Sequence, residues 1–482
     1  MISRKEAFSA VRWATVSAGF RAIFQLIQLI FLTHMLPPAS YGLMAIVYVV
    51  IGFVSIFSDF GLNAAYVSKQ NIDCDHRVSL FWLNFFFAFL TTGFLVSVSP
   101  FVAKYYHNPE LEILIELLST TLVLGALGQQ LKISAEKSLV FKPVAIIEIF
   151  TTLIGLVICV SLVSSGHDVY SIVIGSIISS FLSTLLIWIF LSDGFVLRRH
   201  FSFSDVKPFL NFGIFSVGSA VLGYLSRSLD VLVGGHYLSA SQLGLYSVPR
   251  NLSLQIQFIV NPIISRVGFP LIAKSQSNKD LVKVIYLKTM NMTSSINAPI
   301  YVGIFFFSDH VVNILFGPNW IESSNLMKLL AAWGAIRSTG NPVGSLAEGM
   351  GRADLEFKWT FFCLFFFSVG TWIGATGGAN GIALSQLLLI SFLVIPNWFF
   401  LVKPLCGANF YEYIVITFRP FLLAIAATFL SSLLLQGAKF SWAIFVIEFL
   451  LGFLFYLVFS FKFNKDWFYS MIELVNRSYD RK

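Results

Sequence analysis

His34–Leu43 reads HMLPPASYGL, and His236–Leu245, 202 positions later, reads HYLSASQLGL. Position by position the two stretches share His, Leu, Gly and Leu. Two further pairs recur in the same order. GQQLKISAE (128–136) returns as GNPVGSLAE (340–348), 212 positions on, and each is followed by Phe-Lys, at Phe141-Lys142 and Phe357-Lys358. GLNAAYVSKQ (61–70) and GFPLIAKSQS (268–277) form a weaker third pair. Ordered pairs that carry turn and charged residues point to an internal duplication rather than to chance among apolar segments. A glycine at Gly42 or Gly244 is expected to let the following helix open tightly.

Composition says what is duplicated. The chain has 482 residues, of which 57% are hydrophobic and 12% charged, with 52 Phe and a mean hydropathy of +0.80. Soluble domains carry about 25% charged residues, so this is an integral membrane protein. About 20 apolar residues cross the hydrocarbon core as a helix. Fourteen segments qualify: 9–33, 40–62, 78–103, 111–131, 142–165, 168–192, 210–235, 241–265, 285–307, 321–346, 357–377, 379–402, 412–436 and 440–462. The first, fourth, seventh, eighth and tenth are the most polar. The basic start is read as part of an uncleaved first span, not as a signal peptide.

Orientation follows from Lys and Arg in the loops. With the N-terminus in the cytoplasm, only Lys104 and Lys439 fall outside. Arg21, Arg227, Arg250, Lys328, Arg337 and Arg419 sit within spans, and the remaining 24 of 32 lie on the cytoplasmic side. Both termini are then cytoplasmic. The net charge of +8 is mostly a topology signal and a contact for anionic lipid, not a nucleic-acid footprint.

The duplication maps onto these spans. The expected fold is an all-α polytopic membrane protein of about 14 transmembrane helices. Two pseudo-symmetric six-helix lobes, residues 1–209 (spans 1–6) and 210–405 (spans 7–12), surround a central cleft. Residues 406–482 add two helices and a cytoplasmic tail. Each unit has an even number of spans, so the repeats are parallel, an architecture suited to alternating access.

Charges inside a bilayer are costly, by at least about 2.5–3.5 kcal/mol each at the centre, and mark wet cavities or partners. Span one carries Ser17, Arg21, Gln25 and Gln28 on one helical face. Span seven carries Arg227 and Asp230, three apart and able to meet. Span eight carries Arg250, Asn251, Gln255, Gln257 and Asn261; span ten carries Lys328, Arg337, Asn341, Ser345 and Glu348. The deep acids are Asp230 and Glu148. Excess positive charge suits an anion, and the planar Arg fork suits phosphate. Arg21, Gln25, Gln28, Arg227, Arg250, Gln257, Arg337 and Asn341 are therefore the candidate substrate-binding residues. Asp230 and Glu148 are the candidate ion-coupling acids. A polar stripe bonding a neighbouring helix is the plain alternative for each set.

Little else in the chain offers chemistry. Cys74, Cys159, Cys363 and Cys406 form no disulfide framework or metal spacing, and no cofactor is implied. Asp73-Cys74-Asp75 looks like a metal-binding DxD, but it sits in a short loop with no domain around it and reads as a solvated turn. His34, His107, His167, His236 and His310 lack ligand spacing and read as interfacial. No loop is long enough for a soluble catalytic domain.

Several motifs carry a resemblance. FSDFGL (57–62), FWLN (81–84), GQQ (128–130), NPIISRVGFPLIAK (261–274), RSTGNPVGSL (337–346) and the RSLD of Arg227–Asp230 resemble the polysaccharide-transporter branch of the multidrug/oligosaccharidyl-lipid/polysaccharide exporter superfamily. Within it the chain is similar to the colanic-acid exporter group of lipid-linked oligosaccharide flippases. The resemblance implies a V-shaped two-lobe bundle in the bacterial inner membrane. Its implied cargo is an undecaprenyl-diphosphate-linked oligosaccharide repeat unit for surface polysaccharide, and its implied partners are a polysaccharide polymerase and export machinery. The chain departs from the family at His34 and His236, where Arg is usual, and at Arg250, where an aromatic is usual. Arg21 belongs to no family motif. A cation-coupled drug exporter is the alternative, but it would need a more acidic interior. A membrane glycosyltransferase or polymerase would need a catalytic loop or domain, so the expectation is a transporter and not an enzyme.

Overall fold

The computed structural model describes residues 4–69, 73–192, 195–435 and 442–469. Gln70, Lys439, the start of the last expected span and the C-terminal tail lie outside the described residues. The described residues are helical with no strand.

They form two compact units. The first comprises residues 1–247 and 315–319; the second comprises 248–314 and 320–482. The first holds α1 (Arg4–Met35), α2 (Pro38–Asp59), α3 (Leu62–Ser68), α4 (Cys74–Tyr105), α5 (Glu110–Lys137), α6 (Phe141–Ser164), α7 (Asp168–Leu191) and α8 (Phe203–Tyr237). The division falls inside α9 (Ala240–Lys274). The second holds the rest of α9 with α10 (Lys279–Phe306), α11 (Ser308–Leu315), α12 (Ser324–Ser338), α13 (Asn341–Gly349), α14 (Ala353–Ala375), α15 (Gly378–Asn397), α16 (Lys403–Cys406), α17 (Phe410–Leu434) and α18 (Trp442–Phe463).

Each of the fourteen expected segments carries helix. Among the described residues, 9 helices are long and apolar enough to cross a membrane, or 10 when the pair α10–α11, bent by 87°, is one span. The expected count of fourteen is not reached by this measure among the described residues. Span four, read as one of the polar ones, is among the nine. Glu110 and Glu112 sit in the first turn of α5 and Lys137 in its last, which leaves its middle apolar.

Span ten departs from the expectation of one continuous helix over 321–346. A 3₁₀ turn over Pro318–Ser323 leads into α12, which stops at Ser338; α13 restarts at Asn341. Pro342 lies in the first turn of α13, where a missing N–H costs nothing, so the sequence favours a fresh start there. Span twelve runs without a break from Gly378 to Cys406, through a π-helical turn at Trp398–Val402, and stops at Gly407 with φ +72°. Asn409 then opens α17: its backbone N–H donates to Glu412 Oε2 at 2.9 Å in a capping box.

In the first unit α4 packs on α5, α5 on α7, α6 on α7, and α1 on α6. Phe81, Leu131, Ile147 and Ile187 join four of these helices in one apolar cluster. In the second unit α17 packs on α18 and α10, α14 on α15, and α12 on α10 and α15. Tyr286, Met290, Leu346 and Tyr413 lie at the centre of its core.

The duplicated stretch plays a different part from the one its sequence suggests. Gly42 and Gly244 both lie inside helices, at the fifth residue of α2 and of α9, with ordinary backbone angles. A methyl on Gly42 would run into the carbonyl of Ala240 and stand 3.0 Å from the Gly244 nitrogen. A methyl on Gly244 would run into the carbonyl of Pro38 and stand 3.1 Å from the Gly42 nitrogen. These glycines serve a close crossing of two helix starts rather than a turn.

Candidate functional site

Six of the ten candidate residues line two pockets, one within each unit. The first, of about 440 Å³, lies among α1, α5, α6 and α7. Its central group is the Glu148 carboxylate on α6. Lys132 Nζ donates to Oε1 at 2.7 Å, Ser17 Oγ donates to Oε2 at 2.7 Å, and the Arg21 guanidinium stands 3.5 Å from Oε1. Ser17 and Arg21 are four residues apart on α1, so one helical face delivers both. Gln28 lines the same pocket. The Glu148 side chain is 16% exposed and that of Arg21 47%, so the carboxylate is held deep and the guanidinium reaches outward.

The second pocket, of about 550 Å³, opens around the break between α12 and α13. Gln257 and Asn261 reach it from α9, Arg337 from the last turn of α12, and Asn341 from the start of α13. Asn261 is buried; its Nδ2 donates to the Ser338 carbonyl at 3.0 Å and its Oδ1 accepts from Asn297 Nδ2 at 2.9 Å. The Arg337 guanidinium lies 5.1 Å over the Trp333 ring. Glu348, Glu356 and Trp359 complete the wall on the side of α14.

Four candidates line neither of these two pockets: Gln25, Arg227, Asp230 and Arg250. Asp230 is buried and accepts a hydrogen bond from the Tyr246 hydroxyl at 2.7 Å, which joins α8 to the start of α9. Arg227, one turn away, is exposed. Arg250 is buried, with Nη1 3.5 Å from Asn251 Oδ1.

Sequence reasoning missed Lys132, Glu356 and Trp359 as site residues. Lys132 had been counted only as a charge that fixes orientation, yet it stands in the repeated GQQLKISAE stretch, the one signal that would have found it. Among the histidines expected at the membrane interface, His236 stacks on Tyr105 at 4.5 Å, and its Nδ1 donates to the Tyr105 carbonyl at 3.2 Å. His310 stacks on Phe445 at 5.3 Å.

Comparison with known proteins gives this arrangement a family. The chain is 29% identical over 426 residues to the lipopolysaccharide biosynthesis protein WzxC of Escherichia coli (strain K12), covering 88% of this chain and 87% of that protein. It is 26% identical to the teichuronic acid biosynthesis protein TuaB of Bacillus subtilis (strain 168), over 88% of this chain and 87% of that protein. In fold it is similar to the lipid II flippase MurJ in an inward closed conformation, with a TM-score of 0.76 and 13% identity, over 95% of this chain and 99% of that one. The family model described as "Polysaccharide biosynthesis protein" matches residues 31–325, more than half of the sequence. A helical membrane protein with a pocket in each of two units, this chain belongs to the polysaccharide biosynthesis protein family.

Proposed function

We propose that the protein is a flippase for surface polysaccharide biosynthesis. It carries an undecaprenyl-diphosphate-linked oligosaccharide repeat unit across the bacterial inner membrane by alternating access between the repeats 1–209 and 210–405, with 406–482 as an appendage. It is a transporter and not an enzyme. The observation that carries the reading is the pocket of the first unit, where Arg21 and Lys132 are the two cations of the wall, with Glu148 between them and Glu136 within electrostatic reach. An Arg and a Lys in the wall of a membrane-embedded pocket can each make charge-assisted hydrogen bonds to a diphosphate. The relatives' names, a lipopolysaccharide and a teichuronic acid biosynthesis protein, and the fold of a lipid II flippase support the same cargo class.

Arg21 and Lys132 hold the anion in this reading, and Gln28 orients it. Glu148 is the coupling acid of the first unit: its protonation would release both cations to the headgroup. Asp230, hydrogen-bonded to Tyr246, is the second coupling acid. Both termini are cytoplasmic, and a polymerase and export machinery take up the product.

The test is genetic. Deleting the gene should leave lipid-linked repeat units on the inner leaflet, and wild-type protein should clear them while Arg21→Ala at equal expression does not. Normal export in the deletion strain, with no second exporter present, would overturn the function. Full rescue by Arg21→Ala would retain the function and reject this site.

A further inference from the structure

The two pockets occupy the same place in the duplicated unit. Gly128, Gln129 and Lys132 line the first; Gly340, Asn341 and Gly344, their counterparts in the repeated stretch, line the second. The charged side chains that line them differ in balance. The lining of the first holds Arg21, Lys132 and Glu148, a formal sum of +1, with Glu136 behind it acting on the same groups. The lining of the second holds Arg337, Glu348 and Glu356, a formal sum of −1. One position contributes to the difference. Where the first repeat has Lys132, whose ammonium sits on the Glu148 carboxylate at 2.7 Å, the second has Gly344. A methyl there would stand 3.1 Å from Glu356 Oε1, so the glycine makes room for a carboxylate instead of supplying a cation.

A pocket with two acids and one base repels a diphosphate. The rest of its wall suits another part of the same headgroup. Trp359 offers a flat apolar face, Asn341 and Asn397 offer amides with both donors and acceptors, and Thr360 offers a hydroxyl. Gln257 is 4% exposed, and its Nε2 has no hydrogen-bond partner among the described residues. A buried donor left unmatched in a native site calls for an acceptor from outside the protein. The volume of about 550 Å³ falls within the range of about 300–1,000 Å³ for small-molecule sites.

We propose that the pocket of the second unit is a glycan subsite, which takes a neutral or amino sugar of the lipid-linked headgroup while the diphosphate is held elsewhere. A sugar hydroxyl both donates and accepts. It can donate to Glu356 and Glu348 and accept from Gln257 and Asn341, with a ring face against Trp359. The duplication has thus given one scaffold two chemistries, an anion pocket and a sugar pocket. An amino sugar gains further from the negative balance; a uronic acid is disfavoured there.

This inference rests on the flippase reading, and its test separates the two. Purified full-length protein in nanodiscs is titrated with two probes: bare undecaprenyl diphosphate, and the lipid-linked repeat unit extracted from cells lacking the gene. Wild type should bind the glycan-bearing lipid at least tenfold more tightly than the bare one. Glu356→Gln, which keeps the shape of the side chain, and Asn341→Leu should each lose most of that difference and bind bare undecaprenyl diphosphate as wild type does. Arg21→Gln should weaken both lipids alike. A melting temperature within a few degrees of wild type confirms that the variants are folded. Variants that retain the full preference, or that lose both lipids equally, overturn the glycan subsite and leave the flippase standing. Wild-type protein that binds neither lipid overturns both.

Discussion

Gly42 of α2 and Gly244 of α9 stand in reciprocal contact, each occupying the space where the other's helix start needs backbone room. The symmetry is that of the duplication itself: Pro38 O faces Gly244 as Ala240 O faces Gly42. Overpacking of a tight contact typically costs about 1–3 kcal/mol. Gly42→Ala should therefore lower the melting temperature of the purified protein, and so should Gly244→Ala. Gly93→Ala, at a glycine with nothing within 4 Å of the added methyl, should leave it unchanged or raise it slightly, since Ala favours a helix over Gly by about 1 kcal/mol. Equal melting of Gly42→Ala and Gly93→Ala would show that the crossing tolerates an extra carbon.

The Lys132–Glu148 pair should behave as a unit. Either Lys132→Met or Glu148→Gln alone leaves charge uncompensated in the first pocket, and each should cut clearance of lipid-linked repeat units by about tenfold or more. The swapped pair, Lys132→Glu with Glu148→Lys, should recover part of that loss, because coupling energies of contacting groups are about 0.5–3 kcal/mol. No recovery at equal expression would mean that Arg21 and Ser17, which also hold Glu148, fix the sign of the carboxylate.

Tyr246 gives Asp230 its hydrogen bond at 2.7 Å in a buried setting. Hydrogen bonds to charged groups contribute about 1.5–3 kcal/mol. Tyr246→Phe should accordingly impair transport to an extent comparable with Asp230→Asn, and the double variant should be little worse than either single one. Additive losses in the export assay would assign the two residues separate roles.

Asn464, just past α18, ties the last two helices to α10. Its Nδ2 donates to Asn291 Oδ1 at 3.1 Å and to Ser295 Oγ at 2.9 Å; its Oδ1 accepts from Asn291 Nδ2 at 2.9 Å and from Arg419 at 2.6 Å. Asn464→Leu leaves these buried groups short of a partner and should destabilise strongly. Removing both members of a buried polar pair is gentler than removing one. The double variant Asn291→Leu/Asn464→Leu should then melt higher than Asn464→Leu alone; a lower melting point would mean that Arg419 and Ser295 carry the clasp.

The local patterns were legible in the sequence, and the partnerships between elements were not. Spacings of three and four placed Arg21 and Gln28 on one face of α1, and both line one pocket. The acid that Arg21 approaches is Glu148 on α6, more than a hundred residues away, and no spacing rule reaches that far. Lys132 was hidden for a related reason: near a span end a lysine satisfies the orientation rule, and its ion pair is visible only once α5 and α6 are packed. Gly42 was read for turning because glycine's backbone freedom is a local property. Its use as a gap between helices depends on a second helix arriving from 202 positions on. The break at Gly340 was obscured by the apolar residues on both sides of it, although Pro342 marks the restart. Asn464 lies beyond the last apolar run, where hydropathy gives no reason to expect a buried amide.

Each pocket also contains one native thiol. Cys159 lines the first and is 1% exposed, whereas Cys363 lines the second and is only partly buried. Cys406 is buried and Cys74 is exposed. Once Cys74 is replaced by Ser, a small alkylating reagent meets Cys363 as its most accessible target. The protein thus holds a natural attachment point for a fluorophore or spin label in the second unit, and occupancy of that unit can be followed by optical or magnetic readout without engineering a cysteine into it.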